Sequence, residues 1–297
     1  MKELVELRDY LVSNTGNTNK SQLALFISKQ LFKLIRKFSI ILLYKTMFNS
    51  KLIINADDFG YNSNINAAIV SCFQKNLINS TTIMANMIGF EEAVKLANQS
   101  GFKDRVGIHI NLTEGKPITD LSGTSLVDQK GEYIMKAAFS PRLFLSSSTK
   151  KKIKVEIRAQ YDKVLAFGIQ PTHIDSHQHV HTFPWLAPLF VEFAKEVNLK
   201  LRIITVVKRK NFFVPIYNTF LNIYFKSKGV HFTDKFGNVN YLLDYLNKKK
   251  NFKPVFEIMV HPDYKENLII DTWHKTGLEE KLIHLKQLYN KRALNKQ

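Results

Sequence analysis

Residues 51–60 read Lys-Leu-Ile-Ile-Asn-Ala-Asp-Asp-Phe-Gly, an apolar run that ends in two adjacent carboxylates, Asp57 and Asp58. Lys51 to Ala56 has the length and composition of a buried strand. Two neighbouring carboxylates repel, and burying both without a cation is costly. A metal resolves that conflict if one Asp ligates and the other stays free as a base. The plainer alternative is a solvated strand-to-helix turn in which one Asp caps the helix, and the dipeptide alone favours it.

Outward from this stretch, short apolar runs alternate with longer amphipathic ones. The pattern predicts helices over Asn64 to Asn76, Phe90 to Asn98, Lys150 to Phe167, Trp185 to Val197 and Leu278 to Leu294. It predicts strands over Ser80 to Met87, Arg105 to Leu112, Thr172 to Asp175, Leu201 to Thr205 and Val255 to Val260. Thr113 to Ser148 reads as a long insertion, and Asn211 to Asn251 has no clear reading. Alternation of this kind predicts a parallel sheet with right-handed crossovers, either a (β/α) barrel or a doubly wound sheet. Asp57-Asp58, His109, His173 to His181 and His261 each fall in or just after the C-terminal half of a predicted strand. Barrels build their sites at that end of several strands, so the barrel is preferred. No glycine-rich nucleotide-binding pattern is present.

The densest cluster is Thr172-His-Ile-Asp-Ser-His-Gln-His-Val-His181, with His173, Asp175, His177, His179 and His181 at every second position. In an extended chain all five point the same way. In a helical turn His177 and His181 share a face instead. Such density points to metal or catalytic use, with imidazole suiting Zn, Mn, Fe or Ni better than Mg. His109, inside an apolar run, and His261, before a proline expected to end its strand, would each alone be read as core residues.

The chain has 297 residues, 45% apolar and 23% charged, which excludes global disorder. Its single cysteine, Cys72, excludes an intramolecular disulfide framework and a zinc-thiolate cluster. The net charge of +18 points either to a polyanionic partner or simply to a lysine-decorated surface. The basic residues are scattered and no nucleic-acid-binding pattern accompanies them, so no nucleic acid is expected.

Residues 1–50 form a basic amphipathic extension, with no acidic residue between Asp9 and Asp57. Three readings compete: a helix lying in a membrane interface, a helix packed on the domain, or a preamble to a true start at Met47. The segment is too interrupted by Lys and Arg to span a bilayer, and it lacks a secretion-signal cleavage site. Residues 51–297 are expected to form the barrel domain.

Asn55-Ala-Asp-Asp-Phe-Gly60, Gly107-Ile-His109, Pro171-Thr-His-Ile-Asp-Ser-His177-Gln-His-Val-His181 and His261-Pro262, in this order, resemble the motifs of the YdjC-like carbohydrate deacetylases. That family includes chitooligosaccharide deacetylases and the deacetylase associated with hopanoid biosynthesis. The resemblance runs from about Lys51 to the C-terminal helix. It implies a distorted (β/α) barrel and a divalent metal, usually Mg, with Zn or Mn as alternatives. The implied ligands are Asp58, His109 and His177. Asp57 matches the family's proposed base and His261 a proposed acid, while His179, His181 and Arg202 would line the substrate pocket. The implied reaction removes an N-acetyl group from an amino sugar or oligosaccharide. The enzyme would be cytoplasmic, peripheral to the membrane if its N-terminal segment docks there, and compatible with a homodimer. The competing reading is a metal-dependent phosphoesterase or other barrel hydrolase, though a second full ligand set is missing.

Overall fold

The computed structural model describes residues 52–139, 146–204, 213–248, 255–273 and 275–294. The N-terminal extension and its three readings lie outside these residues. Strands β1 (Leu52–Phe59), β2 (Ser80–Ile83), β3 (Val106–Ile110), β4 (Ile174–Ser176), β5 (Lys235–Gly237) and β6 (Phe256–Val260) form one sheet in the order β4-β3-β2-β1-β6-β5. Every pairing in it is parallel. Ile174 bridges Leu201, and Leu201 bridges His231, again in parallel. His231 runs on in the chain to β5, so residues 230–237 join the two edges of the sheet. Their first half hydrogen-bonds to Leu201, and their second half pairs with β6. The result is the distorted barrel expected, closed on one side by single bridges rather than by a long strand.

Helices α1 (Ser63–Gln74), α2 (Phe90–Gln99), α3 (Ser147–Ala166), α4 (Ala187–Glu196), α5 (Phe213–Ser227), α6 (Val239–Lys248) and α7 (Glu279–Leu294) lie between and after the strands. The stretch after β3 holds one helical turn, Met135–Ala138, as its weak periodicity suggested. Residues 211–251 resisted reading because β5 is a three-residue strand, Lys-Phe-Gly, with no apolar run to mark it.

The period-2 alternation of strand side chains sorts the interior into two layers. Leu52, Ile54 and Ala56 of β1, Val106, Ile108 and Ile110 of β3, and Phe256, Ile258 and Val260 of β6 join the apolar cluster beneath the helices. The intervening positions supply Asn55, Asp57, His109 and Glu257, all buried and all polar. The middle of this barrel is therefore a polar network under an apolar jacket.

After β6 the chain departs from expectation. β6 ends at Val260, just ahead of the proline, but Pro262 then begins a strand the sequence did not suggest, β7 (Pro262–Lys265). It pairs antiparallel with β8 (Leu268–Asp271), and β8 pairs with β9 (Thr276–Gly277). Proline is tolerated there because it opens an edge strand. Tyr264 of β7 reaches Ser71 of α1, with the two hydroxyls 2.6 Å apart. Among the described residues no helix is long and apolar enough to cross a membrane.

Candidate active site

In a regular strand Asp57 and Asp58 would point to opposite faces. The register of β1 against β2 shifts between Ala56 and Phe59, and Asp58 adopts a φ of 67°. A bulge at a barrel rim re-aims side chains, and a left-handed φ at a non-glycine residue needs surrounding contacts to hold it. Asp57 keeps its place in the polar interior, and Asp58 turns towards His109 and His177. Gly60 follows with a φ of 90°, where an added Cβ would meet the Met84 carbonyl oxygen at 3.1 Å and Phe90 Cα at 3.3 Å. Neither Asp caps α1. Asn62 does, its Oδ1 accepting from the Ile65 N–H at 2.9 Å.

His109 Nε2 lies 3.2 Å from Asp58 Oδ1, and His177 Nδ1 lies 2.9 Å from the same oxygen. Asp58, His109 and His177 each offer one ligand atom, all within 4.8 Å of one another. The outer nitrogen of each ring is held by a carboxylate. His109 Nδ1 is 2.6 Å from Asp175 Oδ1, and His177 Nε2 is 3.1 Å from Glu114 Oε1. One carboxylate and two imidazoles, each ring backed by a carboxylate, form a donor set that fits a divalent cation. Burial alone would lower the His109 pKa, but Asp175, with Asp58 and Asp57, outweighs it and pushes it up to about 10. Burial likewise opposes protonation of His177, yet Asp58 and Glu114 raise it to about 9. Burial works against the Asp58 carboxylate, but its hydrogen bonds with His109 and His177 hold it well below the usual carboxylate range. Charge on this cluster thus favours a cation in its midst, whether protons or a metal.

Beneath this group lies Arg202, wholly buried. Its guanidinium makes a fork to Asp57, at 2.6 and 2.8 Å, and reaches Asp175 at 2.7 Å and Glu257 at 2.6 Å. Asn55 donates to Asp57 Oδ1 at 2.9 Å and to Thr82 Oγ1 at 3.1 Å, and Thr82 donates to Asp175 at 2.9 Å. Burial alone would raise the Asp57 pKa, but Arg202 overcomes it and keeps the carboxylate ionised. Glu257 is the exception: burial wins over Arg202, and its pKa rises to about 7.

A cavity of about 190 Å³ opens above, lined by Asp57, His109, His177, His179, His261 and Trp273 with Ser176, Gln178 and Met259. His261 Nε2 stands 4.0 Å from Asp57 Oδ2. The structure therefore brings together Asp57, Asp58, His109, His177, His179 and His261. His181 and Arg202, expected along the pocket, are fully buried below it. His181 Nδ1 lies 2.6 Å from Ser176 Oγ and its Nε2 lies 3.2 Å from the Arg202 carbonyl oxygen, so both ring nitrogens are turned to the protein. The histidine cluster follows neither a single strand nor a helical turn. It is extended to Ser176, then enters a 3₁₀ segment, His177–Thr182, broken by left-handed Gln178 and His179. His173 does not line the cavity: it lies deeper in the barrel, with a ring nitrogen within 4.8 Å of Asp175 and Glu257 carboxylate oxygens and its ring stacked 4.3 Å from that of Phe232.

Glu114 and Trp273 escaped the sequence reading. Glu114 follows β3 in Asn-Leu-Thr-Glu, where Asn111 Oδ1 accepts the N–H groups of Thr113 and Glu114. That local turn presents the Glu114 carboxylate to His177 and to the Tyr61 hydroxyl, 2.9 Å away. An acidic residue directly after a strand that carries a candidate ligand was the available signal.

The sequence model of the family described as YdjC-like protein matches residues 51–288. A carbohydrate deacetylase of Clostridium beijerinckii is 35% identical over 227 residues, 75% of this chain and 85% of the relative. A chitooligosaccharide deacetylase of Proteus mirabilis is 31% identical over 220 residues, 73% of this chain and 82% of the relative. Among crystal structures, a proposed cellobiose-phosphate cleavage protein of Enterococcus faecalis V583 superposes with a TM-score of 0.61 at 25% identity. That alignment covers 81% of this chain and 94% of the other.

Proposed function

This chain belongs to the YdjC-like protein family, and on that premise we propose that it hydrolyses an N-acetyl group from an amino sugar or oligosaccharide. The cofactor is a divalent metal ion held by Asp58, His109 and His177. One observation carries the reading: two carboxylate-backed imidazoles meet the Asp58 carboxylate directly beside Asp57 and His261, in one cavity. The relatives named as carbohydrate deacetylases support the substrate class.

When bound, the metal supplies Lewis acidity to the acetyl carbonyl and makes an attacking water more acidic. Mg, the metal that the family resemblance implies, is the first choice, and the two imidazoles also suit Zn or Mn. The chain's own residues do the rest. Asp57, held ionised by Arg202, takes a proton from the attacking water. His261, across 4.0 Å from Asp57, gives a proton to the departing amine nitrogen. Water adds to the acetyl carbon, the C–N bond breaks, and acetate and a free amine leave. Asp175 and Glu114 fix the orientation of the two rings.

The test is acetate release from N-acetylglucosamine oligomers by protein stripped of metal and then given Mg, Zn, Mn or Co. Metal-restored acetate is expected. Phosphate release from a phosphorylated disaccharide, with no acetate from any oligomer, would favour the phosphoesterase reading instead.

A further inference from the structure

Trp273 stands out among the cavity residues because it is large, apolar and 64% exposed. Exposed tryptophan is uncommon without a partner, since its burial contributes more than that of most side chains. The other tryptophan, Trp185, is stacked on Phe183 at 5.3 Å and donates its indole N–H to the Ala138 carbonyl at 3.3 Å. Among the described residues Trp273 makes no such aromatic stack, and its ring neighbour is His261, with centroids 5.7 Å apart and planes at 52°.

The backbone that carries the indole is held from below. Asp271 is buried, and one of its carboxylate oxygens accepts the His261 backbone N–H at 3.1 Å. The other accepts the Trp273 backbone N–H at 3.2 Å. The Thr272 N–H returns to the His261 carbonyl at 3.0 Å. A single buried carboxylate thus ties the backbones of His261 and Trp273 together at the end of β8.

His261 and Trp273 line the same cavity as His109 and His177, and their ring centroids stand 5.7 Å apart. If His261 protonates the amine, the sugar ring bearing that amine lies against His261 and within reach of the neighbouring indole. The C–H face of a pyranose is apolar and weakly positive, and it complements the negative face of an indole. We propose that Trp273 is the platform of a sugar-binding subsite, stacking against the pyranose ring that carries the acetylated nitrogen, with Asp271 as the residue that positions it. The inference rests on the deacetylase reading and adds to it the part of the cavity that receives the ring.

The test uses the full chain. Dissociation constants for the N-acetylglucosamine dimer and trimer are measured by calorimetry for the wild type, Trp273→Phe and Trp273→Ala, alongside kcat and KM for acetate release. Thermal unfolding checks that the variants fold. Trp273→Ala is expected to raise both Kd and KM about tenfold and leave kcat within about threefold, with Trp273→Phe recovering most of the loss. Sugar binding should also change tryptophan fluorescence in the wild type and not in Trp273→Phe, where Trp185 remains. Unchanged Kd and KM in Trp273→Ala would overturn the platform while leaving the deacetylase reading intact. Sugar binding that depends on Trp273 without acetate release would uphold the platform and overturn that reading. Absence of both binding and turnover in the wild type would overturn both.

Discussion

His109 and Asp175 are register partners across β3 and β4, and the Nδ1 of one lies 2.6 Å from the Oδ1 of the other. Parallel pairing puts them side by side on the inner face of the barrel, so the sheet itself sets which His109 nitrogen faces Asp58. Asp175→Asn is therefore expected to weaken divalent-metal affinity by about 10- to 100-fold, the usual effect of losing a carboxylate behind a metal-binding imidazole. Calorimetric titration with Mn or Zn checks this. Unchanged affinity would show that His109 needs no such support.

Glu114 plays the matching part for His177. Glu114→Ala should lower metal affinity by roughly tenfold or more. Tyr61→Phe, which removes only the hydroxyl donating to Glu114, should have a smaller effect in the same direction. The same titration reads both.

Arg202 offers one guanidinium to Asp57, Asp175 and Glu257. Removing one partner of a buried ionic network leaves the others uncompensated. Arg202→Met should cost about 3–5 kcal/mol of stability. Arg202→Lys keeps the charge but loses the planar fork that holds both oxygens of Asp57, so it should rescue only part of that loss. Urea unfolding at pH 7 measures each variant.

Acid should destabilise the fold through buried neutral histidines. Burial holds the His173 pKa down to about 4, and burial with the neighbouring His179 holds His181 well below 6.5. The unfolded chain takes up protons at these rings below about pH 6.5, and the folded chain does not. Their stabilisation is therefore complete above about pH 6.5 and is lost as pH falls towards 4. Glu257 runs in the opposite sense: with its folded pKa raised to about 7, its contribution is present below 4.5 and is lost as pH rises through 7. His109 and His177, raised to about 10 and about 9, add stability as pH falls to about 6.5 and then contribute a constant amount. Unfolding free energy measured from pH 6.5 to 4.5 should therefore fall on acidification. His181→Asn should flatten the fall, and Glu257→Gln should steepen it. A flat profile in the wild type would contradict this account.

Much of the barrel was legible from side-chain periods. The helices at 63–74, 90–99, 147–166 and 279–294 lie within a few residues of the apolar faces that predicted them. The ring-closing stretch 230–237 was not legible, because its pairing is carried by a short polar strand and single bridges rather than by an apolar run. In the site, the strand-end pattern drew attention to Asp57-Asp58, His109, the run from His173 to His181 and His261, and it was the family resemblance, not spacing, that singled out His177 within that run. The burial of Arg202 and His181 was hidden from sequence. A long cation reads as surface, and nothing local reveals three carboxylates contributed by β1, β4 and β6. Nor does a one-dimensional pattern show the two left-handed residues, Gln178 and His179, that break the histidine cluster.

The proposed function divides the work between adjacent carboxylates: Asp58 would hold the metal and Asp57 would take the proton. Metal content and acetate release measured on the same samples of Asp57→Asn and Asp58→Asn test it directly. Asp57→Asn should keep its metal and lose acetate release by at least about 100-fold, whereas Asp58→Asn should lose the metal itself. Near-native turnover in Asp57→Asn, or undiminished metal in Asp58→Asn, would contradict the account.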